Sequence, residues 1–157
     1  MKRVYYYDLS IGKIGIEEEK GAISRIIFGN ELKAPDVEEM ETPIIKETAK
    51  QLAEYLAGKR KAFDLPLKLK GTSFQMQVWQ ALTTIPYGET RSYRQIAEQI
   101  GNPKACRAVG LANNRNPIPI IIPCHRVIGT NGKLVGYGGG LEIKKRLLEL
   151  EAGLLSS

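Results

Sequence analysis

Histidine occurs once in this chain and cysteine twice, and that scarcity excludes several kinds of chemistry. Two thiols and one imidazole cannot close a Cys/His zinc site, and no carboxylate cluster supplies the missing ligands, so neither a metal nor a cofactor is called for. Apolar runs long enough for a signal peptide or a membrane span are also missing. The N-terminus, Met1-Lys2-Arg3-Val4-Tyr5-Tyr6-Tyr7-Asp8, starts basic but reaches a carboxylate first. The expected setting is therefore intracellular and reducing, where Cys106 and Cys124 remain free thiols, with no membrane partner.

What is present suits a soluble globular chain of one or two units: 157 residues, 43% of them hydrophobic and 25% charged. The formal charge of +6 is unevenly spread. Residues 1–70 carry 13 Lys and Arg against 12 Asp and Glu, a net of +1, whereas residues 71–157 carry 10 against 5, a net of +5. The second half is the one that would meet a polyanion, unless its charges form an ordinary solvated surface.

The first 70 residues read as a sheet with a helix. Val4 to Asp8, Lys13 to Glu17 and Ala22 to Phe28 are short β-branched or aromatic runs between glycine-containing turns, the spacing of an antiparallel meander. Asn30 to Glu41 is acidic and reads as a surface loop. From Pro43 the period becomes helical, with Ile44, Ile45, Thr48, Leu52, Tyr55 and Leu56 on one face, Thr42 as N-cap and Gly58 as the stop. This half carries no evident chemistry and reads as a scaffold.

In the second half, Thr72 with Gln75 and Ser92 with Gln95 each make a capping box. The first opens a helix bearing Phe74, Val78, Trp79, Leu82 and Ile85, and the second a helix burying Ile96, Ala97 and Ile100 up to Gly101. Asn102 is then expected to cap a further helix with Pro103 at its first position, a helix-turn-helix or an ordinary αα-hairpin. Ala105, Ala108 and Ala112 would line one face of it. Lys104 and Arg107 stand near its start, where free N–H groups suit phosphates.

The apolar run Ile120-Ile121-Ile122 ends in Pro123-Cys124-His125-Arg126-Val127. A thiol among isoleucines can be inert packing, but a base beside it and a cation following it favour the thiolate and a nucleophilic role. A glycine-rich stretch, Gly129 to Gly140, surrounds Tyr137 and suits a closing loop; it lacks the Gly-Lys-Ser/Thr of a phosphate loop. A last helix from about Leu141 carries Leu147 and Leu148, with Leu154 also apolar. Glu151 falls on or beside that buried stripe and needs a partner, for which His125 is the candidate. A relay results: Glu151 orients the imidazole, which takes the Cys124 proton directly or through a water.

Pro123-Cys124-His125-Arg126-Val127, preceded by Asn116-Pro117-Ile118-Pro119-Ile120-Ile121-Ile122, closely resembles the active-site motif of the O6-alkylguanine-DNA alkyltransferases, the methylated-DNA–protein-cysteine methyltransferases. The resemblance runs through Pro86-Tyr87-Gly88, Ser92-Tyr93, Gly101-Asn102-Pro103, Arg107-Ala108-Val109-Gly110 and Gly136-Tyr137 to Glu151. It covers residues 70–155 densely and the N-terminal part by architecture. It implies an α+β chain: residues 1–70 form an antiparallel sheet with a helix, ribonuclease H-like, and residues 71–157 form a helical winged helix-turn-helix domain that binds DNA and accepts the alkyl group.

By the same resemblance, Cys124 is the alkyl acceptor, His125 the base, Glu151 the carboxylate behind it and Asn116 the hinge. Tyr93 turns the target phosphate and protonates the leaving guanine, and Arg107 replaces the extruded nucleotide. Ser92, Lys104, Ala105 and Ala108 meet the DNA, whose minor groove suits an alanine face, while Tyr137, Val127, Gly138 and Pro119 line the guanine pocket. Gly138 departs from relatives that carry serine there, and the N-terminal zinc site of some relatives is missing. The implied partner is double-stranded DNA containing O6-alkylguanine, and O4-alkylthymine is a further candidate substrate. The implied acting form is a monomer. Three other readings compete: a sensor that binds lesions without transfer, against which Cys124 argues, a thiol hydrolase with turnover, and a helix-turn-helix regulator with an idle thiol.

Overall fold

The computed structural model describes residues 1–29 and 36–154, and the chain divides into one unit ending at Leu69 and another beginning at Lys70. In the first, β1 (Lys2–Leu9), β2 (Gly12–Glu19) and β3 (Ala22–Phe28) form the expected antiparallel meander. The register sets Tyr6 opposite Gly15. The Tyr6 ring occupies the space a side chain would need there, since a Cβ on Gly15 would lie 2.6 Å from Tyr6 Cε2.

Part of the expected 30–41 loop lies outside the described residues, and the rest corrects the reading. Val37–Glu39 is a strand, β4, that pairs in parallel with β1 and gives the sheet the order β3-β2-β1-β4. Its one apolar residue, Val37, is buried in a cluster with Val4 and Ile27, against which Tyr6 packs. Three residues with two carboxylates offer no periodicity, so only the pairing partner defines this strand.

Helix α1 (Pro43–Leu56) starts as its residue types dictate: the Thr42 side chain accepts the Ile45 N–H and Pro43 takes the first position. It packs on the sheet with Ile45, Leu52 and Tyr55 fully buried. Buried Gln51 uses both ends of its amide on one backbone, donating to the Asp64 carbonyl at 3.1 Å and accepting its N–H at 2.9 Å. The chain thus pinned continues along β3, where the Ile23 N–H and carbonyl bond Pro66 and Lys68.

The second unit is helical. It contains α2 (Ser73–Leu82), α3 (Tyr93–Gln99), α4 (Cys106–Asn114) and α5 (Leu141–Glu151), with a short parallel pair, β5 (Arg91–Ser92) and β6 (Val127–Ile128). Both capping boxes are formed, at Thr72–Gln75 and Ser92–Gln95. Trp79 is core, and its indole N–H donates to the Ala112 carbonyl at 2.9 Å, tying α2 to α4. The architecture is α+β, and among the described residues no helix is long and apolar enough to cross a membrane.

Three helix boundaries differ from expectation, the first being α2, which ends at Leu82 and leaves Ile85 buried beyond it. α4 begins at Cys106 and not at Pro103; its N-cap is Ala105, which supplies no side-chain bond. The cause lies one turn earlier, where the Gly101 N–H bonds the Glu98 carbonyl and the Asn102 N–H the Ala97 carbonyl, the paired bonds of a Schellman ending. Asn102 then closes a turn with its own carbonyl, which accepts the Ala105 N–H, so its side chain caps nothing. At the other end, Leu154 lies beyond α5 and is exposed, while Leu150 joins Leu147 in the core.

Candidate active site

The residues before Cys124 form a tight turn with one isolated bridge rather than a strand. Asn116 builds it: its Nδ2 donates to the Ile122 carbonyl at 2.8 Å, its Oδ1 accepts the Ile118 N–H at 2.9 Å, and the Ile122 N–H closes on the Ile118 carbonyl at 2.9 Å. Ile118, Ile120 and Ile122 are buried, and Ile120 holds φ = 74°, a left-handed conformation uncommon for a β-branched residue. This turn delivers Cys124 to the start of a 3-10 turn, Cys124–Arg126, with all three side chains buried. Asn113, overlooked in the sequence because a helix-terminal asparagine is unexceptional, donates from Nδ2 to the Cys124 carbonyl at 3.3 Å.

Glu151, the last residue of α5, meets His125 at 2.8 Å between Oε2 and Nε2. It also meets Arg126, whose Nε and Nη2 donate to its two oxygens at 2.8 and 3.0 Å while Nη1 donates to the Ile85 carbonyl at 2.7 Å. The Gly88 N–H adds a longer bond, 3.3 Å to Oε1. Pro86-Tyr87-Gly88 thus serves the carboxylate directly. Gly88 turns with φ = 83°, and a Cβ there would lie 3.3 Å from the Glu151 carbonyl, so both conformation and space favour glycine. The Tyr87 ring lies 5.7 Å from the Arg126 guanidinium.

These contacts revise the expected electrostatics. Arg126 is committed to Glu151 and does not promote the thiolate. Burial pushes the Cys124 thiol up to about 11, opposed by a hydrogen bond from Asn116 and by the charge of Lys144. Burial likewise lowers the proton affinity of His125, against the pull of Glu151 and with the help of Arg126 and Lys144. Burial thus disfavours both the thiolate and the imidazolium. With Nε2–H donated to the carboxylate, the ring's lone pair is on Nδ1.

Tyr93, at the start of α3, is buried and donates its hydroxyl to the Val135 carbonyl at 3.0 Å. Burial raises its pKa, with Cys124 next in effect. It lines a cavity of about 270 Å³ with Cys106, Arg107, Gly110, Asn114, Val135 and Gly136. Gly136 has φ = 58° and the Asn114 side chain rests on it, 2.7 Å from where a Cβ would be. Of the expected site residues, Tyr93 and Arg107 border this cavity; Tyr137, Val127, Gly138 and Pro119 are not among its lining residues. Val127 and Pro119 are buried, Tyr137 half-buried and Gly138 exposed. Lys104, Arg107 and Ala108 are exposed, and Ser92 and Ala105 partly so, around the start of α3 and α4.

The exposed start of α4, with Lys104 and Arg107 at the surface, thus stands in the same unit as the buried Cys124, His125 and Glu151. The family model described as the 6-O-methylguanine DNA methyltransferase DNA binding domain matches residues 73–153, and that of the ribonuclease-like domain matches residues 2–69. The chain belongs to the methylated-DNA–protein-cysteine methyltransferase family. It is 50% identical to the Methanosarcina acetivorans methylated-DNA–protein-cysteine methyltransferase over 94% of this chain and 98% of that protein. It is 51% identical to the constitutive Bacillus subtilis protein over 90% of each. Among solved structures, Mycobacterium tuberculosis OGT in complex with DNA superposes with a TM-score of 0.92 at 45% identity, covering 99% of this chain and 96% of that one.

Proposed function

We propose that this protein repairs O6-alkylguanine in double-stranded DNA by moving the alkyl group, in a single turnover, onto its own Cys124. The observation that carries the reading is the buried thiol whose neighbouring imidazole is fixed by Glu151 at 2.8 Å, inside the unit that the DNA-binding model matches. A base within a duplex is out of reach of such a thiol, so the nucleotide must be extruded first, and the weaker pairing of a damaged base lowers the cost. The exposed ends of α3 and α4 approach the minor groove, where Ser92, Lys104, Ala105 and Ala108 meet the backbone and Arg107 fills the gap in the stack. The Gly136 to Gly138 loop, Val127 and Pro119 receive the guanine.

In the transfer step His125 Nδ1 takes the thiol proton, directly or through one water, and Asn116 donates a hydrogen bond to the sulfur as charge develops. Sγ then bonds the alkyl carbon while the carbon–O6 bond breaks and its electrons pass to the guanine. Tyr93 supplies a proton to that leaving base. The protein acts as a monomer in a reducing, intracellular compartment. Alkylthymine is a candidate second substrate of the same geometry.

Incubation with O6-methylguanine duplex should place one methyl group's added mass on the peptide containing Cys124, and reducing agent should not remove it. Cys124→Ser should abolish transfer and keep binding to the alkylated duplex, while Cys106→Ser keeps transfer. The opposite pattern for the two thiols would overturn the assignment. Arg107→Ala should slow repair of duplex at least about tenfold more than reaction with free O6-benzylguanine, because only the duplex requires extrusion. Duplex binding should also weaken as salt rises. Equal losses on both substrates would remove Arg107 from the extrusion step.

A further inference from the structure

Asn113 is 1% exposed, and only one end of its amide is used. Nδ2 donates to the Cys124 carbonyl at 3.3 Å. A carbonyl can only accept, so the orientation of the amide is fixed and Oδ1 points the other way. Among the described residues Oδ1 has no hydrogen-bond partner, although it is closed to solvent. A buried acceptor left unmet is costly. The Cys124 carbonyl does not require the amide either, because it already accepts the Val127 N–H. A leucine of similar volume would keep that bond and bury no orphan, so stability alone does not explain an asparagine here.

Its position indicates what the free oxygen is for. Cys106, Gly110 and Asn113 follow one another on α4 at spacings of four and three, along one face of the helix. The first two line the cavity beside Tyr93, whose ring lies 3.8 Å from where a Cβ on Gly110 would be. The third touches Cys124, so the stripe leads from the cavity to the nucleophile. Burial raises the Tyr93 pKa, and a hydrogen bond from the Asn113 amide to its oxygen opposes the rise. The amide therefore stands between Tyr93 and the backbone of Cys124. An O6-alkylguanine that offers its alkyl carbon to Sγ and a ring nitrogen to Tyr93 turns the edge between them toward Asn113. Alkylation at O6 leaves N1 without a proton, and the donor remaining on that edge is the 2-amino group, the neighbour of both N1 and N3. The Cys124 carbonyl has both acceptor positions taken, by Val127 and by Asn113 itself. We propose that Asn113 is a specificity residue: its Oδ1 accepts a hydrogen bond from the 2-amino group of the extruded guanine and selects alkylguanine over alkylated bases that lack this amine. This rests on the repair reading above.

Three lesions present different groups at that place. O6-methylguanine offers an N–H, O6-methylhypoxanthine a C–H, and O4-methylthymine the O2 carbonyl oxygen. A fixed acceptor bonds the first, gains nothing from the second and repels the third. Turning the amide over would not accommodate the thymine lesion, because its oxygen would then face the Cys124 carbonyl.

The test is the single-turnover rate of methyl transfer to Cys124 from each of these lesions, with the modified peptide identified by mass. The duplexes carry an abasic site opposite the lesion, so that no base pair distinguishes the cost of extrusion. The native chain should demethylate O6-methylguanine about tenfold faster than O6-methylhypoxanthine, and O4-methylthymine more slowly still. In Asn113→Leu the two purine rates should come within about twofold of each other. Asn113→Asp, which keeps an oxygen at the same place, should retain the preference for the amine whatever its absolute rate. Equal native rates on the two purines overturn the proposal even if both variants fail to fold, and so does a folded Asn113→Leu that keeps the native ratio. Transfer from none of the three duplexes would overturn the repair reading itself, and the role of the amide with it.

Discussion

When a fixed amount of this protein is titrated with O6-methylguanine duplex, the repaired base should rise in step with lesion and stop at one per chain. The bond formed at Cys124 sets that limit. An acyl group on the same thiol would keep an electrophilic carbonyl that His125 and water could attack, as in a thiol hydrolase built from the same three side chains. A methyl or larger alkyl group offers a saturated carbon in a thioether, and no residue around the turn can polarise that bond. Continued release of repaired DNA after the first equivalent would exclude single turnover and restore the hydrolase.

Glu151→Ala should have the second-largest effect, on two separable quantities. The carboxylate answers a guanidinium and an imidazole that are both buried, and removing one partner of a buried ion pair costs roughly 3–5 kcal/mol because the other charge is left behind. Denaturant unfolding should register that loss. Transfer should fall roughly a hundredfold or more, since the imidazole loses the acceptor that fixes its tautomer. The double variant Arg126→Met, Glu151→Met tells the two apart. With both charges gone stability should largely return, but transfer should stay low because nothing orients His125. Recovery of transfer along with stability would show that Glu151 serves only the fold.

How much of this was legible depended on how far each cause lies along the chain. Thr72 with Gln75 and Ser92 with Gln95 announce their helices because each box is closed by residues three apart. His125 and Glu151 could be matched because a buried carboxylate needs a partner and the chain has one imidazole. Asn102 misled because a Schellman ending and a second turn competed for the same residues. β4 stayed hidden because its pairing partner is more than thirty residues away. Arg126 reads from the sequence as a cation favouring the thiolate, and nothing in the sequence singles out Lys144. Their burial is possible only because distant groups converge on them: the Ile85 carbonyl and Glu151 for one, three carbonyls for the other.

The left-handed backbone at Ile120 bears on which residues the position can accept. Glycine would relieve roughly 1–2 kcal/mol of backbone cost, yet it would empty a site where a large aliphatic side chain is 2% exposed, and a loss of that kind costs roughly 2–5 kcal/mol. Packing therefore outweighs conformation, and the isoleucine stands where local preference would put a smaller residue. Asparagine, which tolerates the dihedral, would bring an amide into an apolar niche. Residues that suit the backbone leave a hole or an unmet polar group, and residues that fill the hole strain the backbone. The approach to the nucleophile is accordingly a place where single substitutions have almost no neutral route, four residues from the thiol itself.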